Sequence, residues 1–330
     1  MDAPFLSPER TLHTVDDALA GERLDTALRR LCPGLSLRAA RRAIQRGSIL
    51  LNDRPAPAAT RLRQGQIISL PQADRQPDAD KTACRQVRLL SRQGDYVCLS
   101  KPAGLHSVSL AGDAAPSLDH CCRPLLAALP APAAQAVLLQ RLDRDTSGLV
   151  CAALNESAAT AFRQAEAQGQ CQKRYVALLH GALPEQRTAD RLLDTCHRRQ
   201  SRVLDRPAPR LRQTRFTPLL LLRGPEAAAL LQALYPGVAL PASVPDLTLA
   251  GCCIQCGARH QIRAHAAWLG FPLWGDPLYN PAFRQQSPLS FLLHHGMLHT
   301  PWGHWTLPPH WNLSPQQHSL LVNWLETPVQ

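Results

Sequence analysis

Residues 138–150, LLQRLDRDTSGLV, place four charged side chains, Arg141, Asp143, Arg144 and Asp145, between two apolar runs. Short apolar runs flanking such a break read as two buried strands. A junction between buried strands normally takes Asn-Gly or Gly-Ser, whose backbones turn at little cost. Charges there are expensive to bury unless each finds a partner. Three kinds of chemistry match these residue types. Asp-x-Asp after an apolar strand, with Thr146 nearby, resembles metal-dependent phosphohydrolases, in which carboxylate oxygens bind Mg²⁺ and one attacks phosphorus. That pattern wants glycine directly after the second aspartate and further acids at later strand ends, and GDPLYN (275–280) alone offers one. A glycoside hydrolase needs two carboxyls roughly 5–9 Å apart, which an i, i+2 pair meets only through particular loop geometry. The third possibility uses Asp143 alone. A lone buried carboxylate would protonate, so the fold must then deliver an arginine to hold it.

The totals bound the alternatives. A chain of 330 residues suggests two domains. With 45% hydrophobic and 18% charged residues it is globular in class. Apolar runs such as PLLLL (218–222) fall far short of the ~20 residues of a membrane span. The first residues, MDAPFLSPERTLHTVDD, carry early acids and no apolar core, so a cytoplasmic location and no membrane partner are expected. Eleven cysteines, an odd number without a leader, argue for reduced thiols. CCIQC (252–256) is the cluster of metal interest, but Cys121–Cys122 beside His120 makes a poor second pair. Those cysteines read instead as small apolar side chains in a strand. The net charge of +11 comes from arginine, since lysine occurs only at Lys81, Lys101 and Lys173. Guanidinium groups bind phosphate in bidentate fashion and stack on bases, so RNA is the expected partner. No protein partner is evident, and a monomer is expected.

Residues 12–72 read as a small domain, 73–86 as a polar, proline-bearing linker, and 87–330 as a second domain. RLDTALRRLC gives an amphipathic helix with Leu24, Ala27, Leu28 and Leu31 on one face. LSLRAARRAIQRG gives another, with Ser36 as N-cap, Gly47 as stop and a stripe of Leu37, Ala40 and Ile44. Arg38, Arg42 and Arg46 recur on its other face with Arg41 beside them. No acid lies between Asp25 and Asp53 to form an intrahelical pair. This stretch resembles the small RNA-binding fold named after ribosomal small-subunit protein four. The matching pieces are Arg-Leu-Asp, the Ser-x-Arg-x-x-x-Arg-x-x-Ile-x-x-Gly helix, an Asn after a short strand and a Gly before the last one. The resemblance implies that Arg38, Arg41, Arg42 and Arg46 contact RNA.

Beyond the linker, β-rich runs (DYVCLSKPAG, AVLLQ, GLVCAAL, KRYVALLHGAL, LTLAGCCIQC) alternate with helical stretches such as ESAATAFRQAEAQG, GPEAAALLQALYPG and SPQQHSLLVNWLE. The last has a capping box, Ser314 and Gln317, and a stripe of Leu320, Leu321 and Trp324. The mixture predicts an α+β fold with a mixed, largely antiparallel sheet. Residues 184–215 and 223–246, Pro/Arg- and Pro/Ala-rich, read as insertions. GARHQIRAHAAWLGFPLWGDPLYN (257–280), read as a strand end entering a helix, groups His260 and Arg263 within one turn. Strand alternation puts Tyr175 opposite to Arg174 and Val176.

Five collinear segments, DYVCLSKPAGLHS, QRLDRDTSGLVCAAL, KRYVALLHG, GARHQIRAHAAWLGFPLWGDPLYN and LLHHGMLHTPWG, resemble the RluA-type pseudouridine synthases. The resemblance implies an isomerase that detaches uracil from ribose and reattaches it through carbon, with no cofactor and no metal. It implies Asp143 as the essential aspartate, Arg263 as its basic partner and Tyr175 as the aromatic on the uracil. Arg141 would enter the space left by the flipped nucleotide, and Gln140 and His260 would line the substrate. Asp145 matches no catalytic position, and Thr146 and Ser147 are expected to satisfy loop amides. Two departures stand out. Gln140 replaces the family's histidine, and Arg259 falls one position later than the family's arginine. The competing function is a non-catalytic RNA-binding protein that retains the fold.

Overall fold

The computed structural model describes residues 10–32, 37–45, 49–71, 82–109, 116–129, 136–197, 200–238, 240, 243–283 and 290–328. Two compact units divide the chain, Met1–Thr82 with Val108–Ser117, and Ala83–Ser107 with Leu118–Gln330.

In the first unit, β1 (Arg10–Thr14), β2 (Leu50–Leu51) and β3 (Ile67–Pro71) form an antiparallel sheet ordered β1-β3-β2. The helices α1 (Leu24–Leu31) and α2 (Leu37–Gln45) bury Leu24, Ala27, Leu28, Ala40 and Ile44 against Ile68 and Leu70. Spacings of three and four put those residues on one side of each helix. The acid that α2 lacks comes from α1. Asp25 is fully buried; it accepts Arg23 Nε and Nη2, each at 3.0 Å, and Arg41 Nε at 2.8 Å. The expected all-basic face is therefore neutralised in part by a tertiary pair that no within-helix count could find. Ser36, Arg46 and Gly47 lie outside the described residues, as do the side chains of Arg38 and Arg42.

The second unit is built on a sheet of ten described strands ordered β4-β5-β7-β14-β8-β13-β12-β9, with β15 paired to β14 and β6 to β7. In chain order these are β4 (Arg88–Gln93), β5 (Tyr96–Lys101), β6 (Val137–Leu138), β7 (Ser147–Ala153), β8 (Gln172–His180) and β9 (Arg187–Ala189). A separate hairpin, β10 (Arg191–Asp194) and β11 (Arg202–Pro207), follows. Then come β12 (Thr214–Leu222), β13 (Leu247–Ile254), β14 (Leu293–Thr300) and β15 (Gly303–Thr306). Both faces are covered, which is why the strands read as nearly unbroken apolar runs. Along β8, Tyr175, Ala177 and Leu179 join one core; Val176 and Leu178 enter clusters on the opposite face. The first core also takes α3 (Leu118–Cys121), α4 (Arg123–Ala127) and α7 (Gln261–Trp268) through Leu118, Leu126, Ile262 and Ala266. The opposite face is covered by α5 (Glu156–Ala167), α6 (Gly224–Leu234) and α8 (Pro315–Glu326) through Phe162, Leu231 and Leu325.

Two expectations need correction, and a third segment gains a structure: residues 184–215, read as an insertion, contribute β9, which closes one edge of the main sheet. On α8 Leu321 is buried and Trp324 packs against the same cluster, as expected, but Leu320 is exposed and Leu325 takes its place in the core. Cys84 and Cys121 are disulfide-bonded, their Cα atoms 5.5 Å apart. Counting thiols could not reveal that the approach to β4 and α3 bring these two within bonding range.

Among the described strands, β14 makes the sheet's parallel pairing, with β7 through His294↔Ser147 and His295↔Gly148. Gly148 sits at φ +115°, and a Cβ there would lie 2.2 Å from the His295 carbonyl oxygen. The close approach fixes where β7 begins, and hence where the preceding charged loop stands. Replacing Gly148 with Ala should destabilise the protein by about 3 kcal/mol or more, combining backbone strain with a main-chain clash. Urea unfolding of the variant tests this, and an unchanged midpoint would refute the close contact.

Candidate active site

The loop joining β6 to β7 carries Asp143 and is fastened on both sides of it. Ser107 Oγ donates to Leu142 O at 2.8 Å and accepts from Leu142 N at 2.9 Å. Lys101, opposite Gly148 in the ladder, is 1% exposed; its Nζ donates to Pro102 O, Leu105 O and Arg144 O at 2.9, 2.6 and 2.9 Å. Burial lowers the Lys101 pKa to about 7, against the pull of Asp145 and Asp143. Three carbonyls match the three protons of an ammonium, so the side chain acts as a rigid peg under the loop. Thr146 N donates to Asp143 O at 3.2 Å. The hydroxyls of Thr146 and Ser147 do not serve loop amides as expected. Among the described residues Thr146 Oγ1 is buried without a partner, and Ser147 Oγ pairs with His294 Nδ1 at 2.8 Å.

Asp143 Oδ2 accepts a hydrogen bond from Arg263 Nη1 at 2.8 Å, joining side chains 120 positions apart. Arg263 comes from the first turn of α7, whose apolar Ile262 and Ala266 anchor the helix in the core. The other edge of its guanidinium belongs to Asp276, with Nε to Oδ2 at 2.7 Å and Nη2 to Oδ1 at 2.9 Å. Asp276 is fully buried, and its Oδ1 also accepts from Leu278 N and Tyr279 N at 2.9 and 3.2 Å. The guanidinium lies over the Phe291 ring, 4.3 Å from its centroid, and over Tyr279 at 5.2 Å. Burial works against the Arg263 charge, but the Asp276 and Asp143 carboxylates outweigh it and raise the pKa above the ordinary arginine value.

His260, the residue before α7, holds a left-handed backbone at φ +56°. Its Nε2 stands 3.8 Å from Asp143 Oδ1, and its Nδ1 is 3.1 Å from Tyr279 Oη. Tyr175 is 7% exposed and stacks on His295, with centroids 4.4 Å apart and planes 16° off parallel. His295 Nδ1 donates to Leu149 O at 2.6 Å, and burial depresses its pKa to about 3, so the ring is a neutral plate beneath the tyrosine. Burial and then the charge of Asp143 raise the Tyr175 phenol above its usual range, which places ring and carboxylate within electrostatic reach.

Of the expected site residues, Arg263 and His260 thus stand within 3.8 Å of Asp143, and Tyr175 packs in the core that also takes Leu142 and Ile262, the chain neighbours of Asp143 and Arg263. Arg141 is exposed two positions before Asp143. Gln140 donates from Nε2 to Leu149 O at 3.4 Å on the stem of the loop. Arg259 donates to the carbonyls of Thr195 and His197, which makes it a strap on the β10–β11 hairpin. Asp276 and Tyr279 were missed as functional residues. The signal was present: a single acid inside FPLWGDPLY, an otherwise apolar stretch, needs a buried partner.

A family model described as RNA pseudouridylate synthase matches residues 95–268, just over half the chain. The chain belongs to that family. Its relatives include ribosomal large subunit pseudouridine synthase D of Xanthomonas campestris pv. campestris, 28% identical over 273 residues, 82% of this chain and 75% of that one. An uncharacterized RNA pseudouridine synthase of Chloroflexus aurantiacus is 27% identical over 309 residues, covering 91% of this chain and 90% of its own. In fold, the chain resembles human RNA pseudouridylate synthase domain containing 1. That match has a TM-score of 0.53 at 22% identity and covers 75% of this chain and 98% of the human one. The protein is an RNA pseudouridine synthase, an isomerase that converts uridine in RNA to pseudouridine.

In this synthase the buried arginine between two carboxylates is the weak point. Asp276→Ala leaves Arg263 buried with one partner, and should destabilise the fold by about 3–5 kcal/mol while releasing the guanidinium from its aim at Asp143. Urea melts and turnover assays test both effects. Wild-type stability in the variant would show that Asp276 does not hold the arginine.

Proposed function

We propose that Asp143 is the carboxylate on which isomerisation depends, that Arg263 holds it, and that Tyr175 packs on the uracil. The 2.8 Å contact between Arg263 Nη1 and Asp143 Oδ2 carries this assignment. It joins the loop and the helix on which the mechanism requires a charge pair. A glycosidic bond is broken and remade at one ribose carbon, so a fixed charge in a poorly solvated site stabilises the transition state strongly. Arg141, exposed beside the loop, enters the space the flipped nucleotide leaves, and Gln140 and His260 line the base. The chemistry needs neither metal nor cofactor, and the enzyme acts as a cytoplasmic monomer of the RluA type. Large-subunit ribosomal RNA is the proposed substrate, on the strength of the names borne by several relatives. Residues 12–72 form an RNA-binding domain like that of ribosomal small-subunit protein four, joined by a linker at 73–86, with Arg38, Arg41, Arg42 and Arg46 on phosphates.

Tritium release from RNA labelled at the uracil fifth carbon measures the reaction. Asp143→Asn should slow it by about 10²–10⁴-fold, the range for a positioned acid–base group. Equal release from wild type and variant would remove Asp143 from the mechanism. Mapping pseudouridines in cells lacking the gene identifies the substrate; an unaltered large-subunit RNA would reject that part.

The N-terminal assignment has its own test. Reversing Arg38 and Arg42 to Glu should weaken RNA binding and reduce the log–log salt slope by about 1 for each arginine. Filter binding over a salt series reads both quantities, and an unaltered slope counts against a phosphate-gripping helix.

A further inference from the structure

The hydrogen-bond arithmetic at Tyr279 fixes the state of His260. A phenol has one proton to donate and two lone pairs to accept with. Ser201 N donates to Tyr279 Oη at 2.8 Å, and Ser201 O, 3.1 Å away, can only accept. The phenol proton is therefore committed to that carbonyl. The contact of 3.1 Å with His260 Nδ1 must then run from Nδ1–H to the oxygen. This network puts a hydrogen on Nδ1, so the neutral ring carries its lone pair on Nε2.

That lone pair faces Asp143 Oδ1 across 3.8 Å. Two acceptors confront each other with no hydrogen atom between them, an arrangement that costs energy unless a bound molecule supplies the hydrogen. The backbone is strained as well, since a non-glycine residue at φ +56° in this fold is held there by its surroundings. Ala264 N donates to His260 O at 2.9 Å, so the strained residue is built into the start of α7. Burial, together with Arg263 and Arg259, keeps the imidazole neutral against the pull of Asp143 and Asp276.

Isomerisation has one step that needs such a base. When C1′ leaves N1 and bonds to C5, that carbon still carries its hydrogen. The hydrogen must depart as a proton. Its electron pair forms the C5=C6 double bond, the C6=N1 pair withdraws onto N1, and N1 takes a proton from water. We propose that Nε2 of His260 accepts the C5 proton, beside the Asp143 carboxylate, and then releases it to water, so that atoms and charge balance over the cycle. This deepens the assignment of Asp143 and rests on it.

The experiment uses full-length protein and total RNA from cells lacking the gene, grown on mixed light and 5-deuterated uridine. Rate and competitive isotope effect are read by mass spectrometry. His260→Asn keeps a residue that tolerates the left-handed backbone but removes the base. It should slow turnover by about 10²-fold or more, with a deuterium effect well above that of wild type, because proton removal has become the slow step. His260→Gly should regain rate when free imidazole is added. A wild-type rate in His260→Asn overturns the proposal. So does a slowed rate with an unaltered isotope effect and no imidazole rescue, which would make His260 a positioning residue. Asp143→Asn run alongside separates the two assignments. Activity in that variant defeats the role of Asp143, whereas an inert Asp143→Asn with a normal His260→Asn defeats the base alone.

Discussion

One guanidinium shared by two carboxylates organises the catalytic unit. Arg263 gives two parallel hydrogen bonds to Asp276 and one to Asp143. The bidentate pair is the stronger claim on the cation, and Asp276, wholly buried, has no route to water. The charge count for the trio is minus one, and that surplus resides on the member with access to solvent, Asp143, whose side chain is 22% exposed. An anchored carboxylate that keeps most of its negative charge suits chemistry at an electron-poor ribose carbon. Had Asp276 been neutral, Arg263 would belong to Asp143 entirely and mask it.

The pair also sets demands on the sheet. Asp143 lies on a loop and Arg263 on a helix, so a hydrogen bond of 2.8 Å between them survives only if both supports are stiff. Stiffness comes from the main chain: Gly148 lets β7 press on β14, and Lys101 and Ser107 tie down Arg144 and Leu142. The neutral His295 plate beneath Tyr175 extends the same frame to the aromatic. Several of these supports are buried polar groups with complete or nearly complete hydrogen bonding, which specify one arrangement where an apolar core would accept several.

What could be read in the amino-acid order follows from how local each interaction is. Helix α8 was legible because Ser314 with Gln317 caps it within three residues, and α5 from its alanine-rich run; that Asn155 caps α5 is added by the structure. The opposition of Tyr175 to Val176 follows from strand pleating alone. Asp143 and Arg263 were legible as a pair through motif order, since their contact spans 120 positions. Asp276 was visible as an acid but not as the owner of Arg263, because ownership depends on which edge of the guanidinium faces which loop. The link from Asp25 to Arg41, the disulfide of Cys84 and Cys121, and the edge strand inside 184–215 are likewise tertiary facts. Ser147 turned to His294 because the parallel register put that ring beside it, a neighbour no turn preference predicts.

The depth of the site constrains how RNA must meet it. Tyr175 and Arg263 are 7% and 6% exposed, so a uracil paired and stacked in a helix could not touch both. The base has to leave its stack, at a cost of a few kcal/mol. Asp143, Arg263 and Tyr175 cannot offset that cost with attraction for phosphate, because Arg263 with its two carboxylates is net negative and the Tyr175 phenol is neutral. The compensation must come from outside the pocket, from groups such as the exposed Arg141 and Arg144 and the arginines that give the chain its charge of +11. On the proposed assignment, choice of uridine falls to that basic surface and to how readily the target unstacks, and the pocket acts once a uracil arrives.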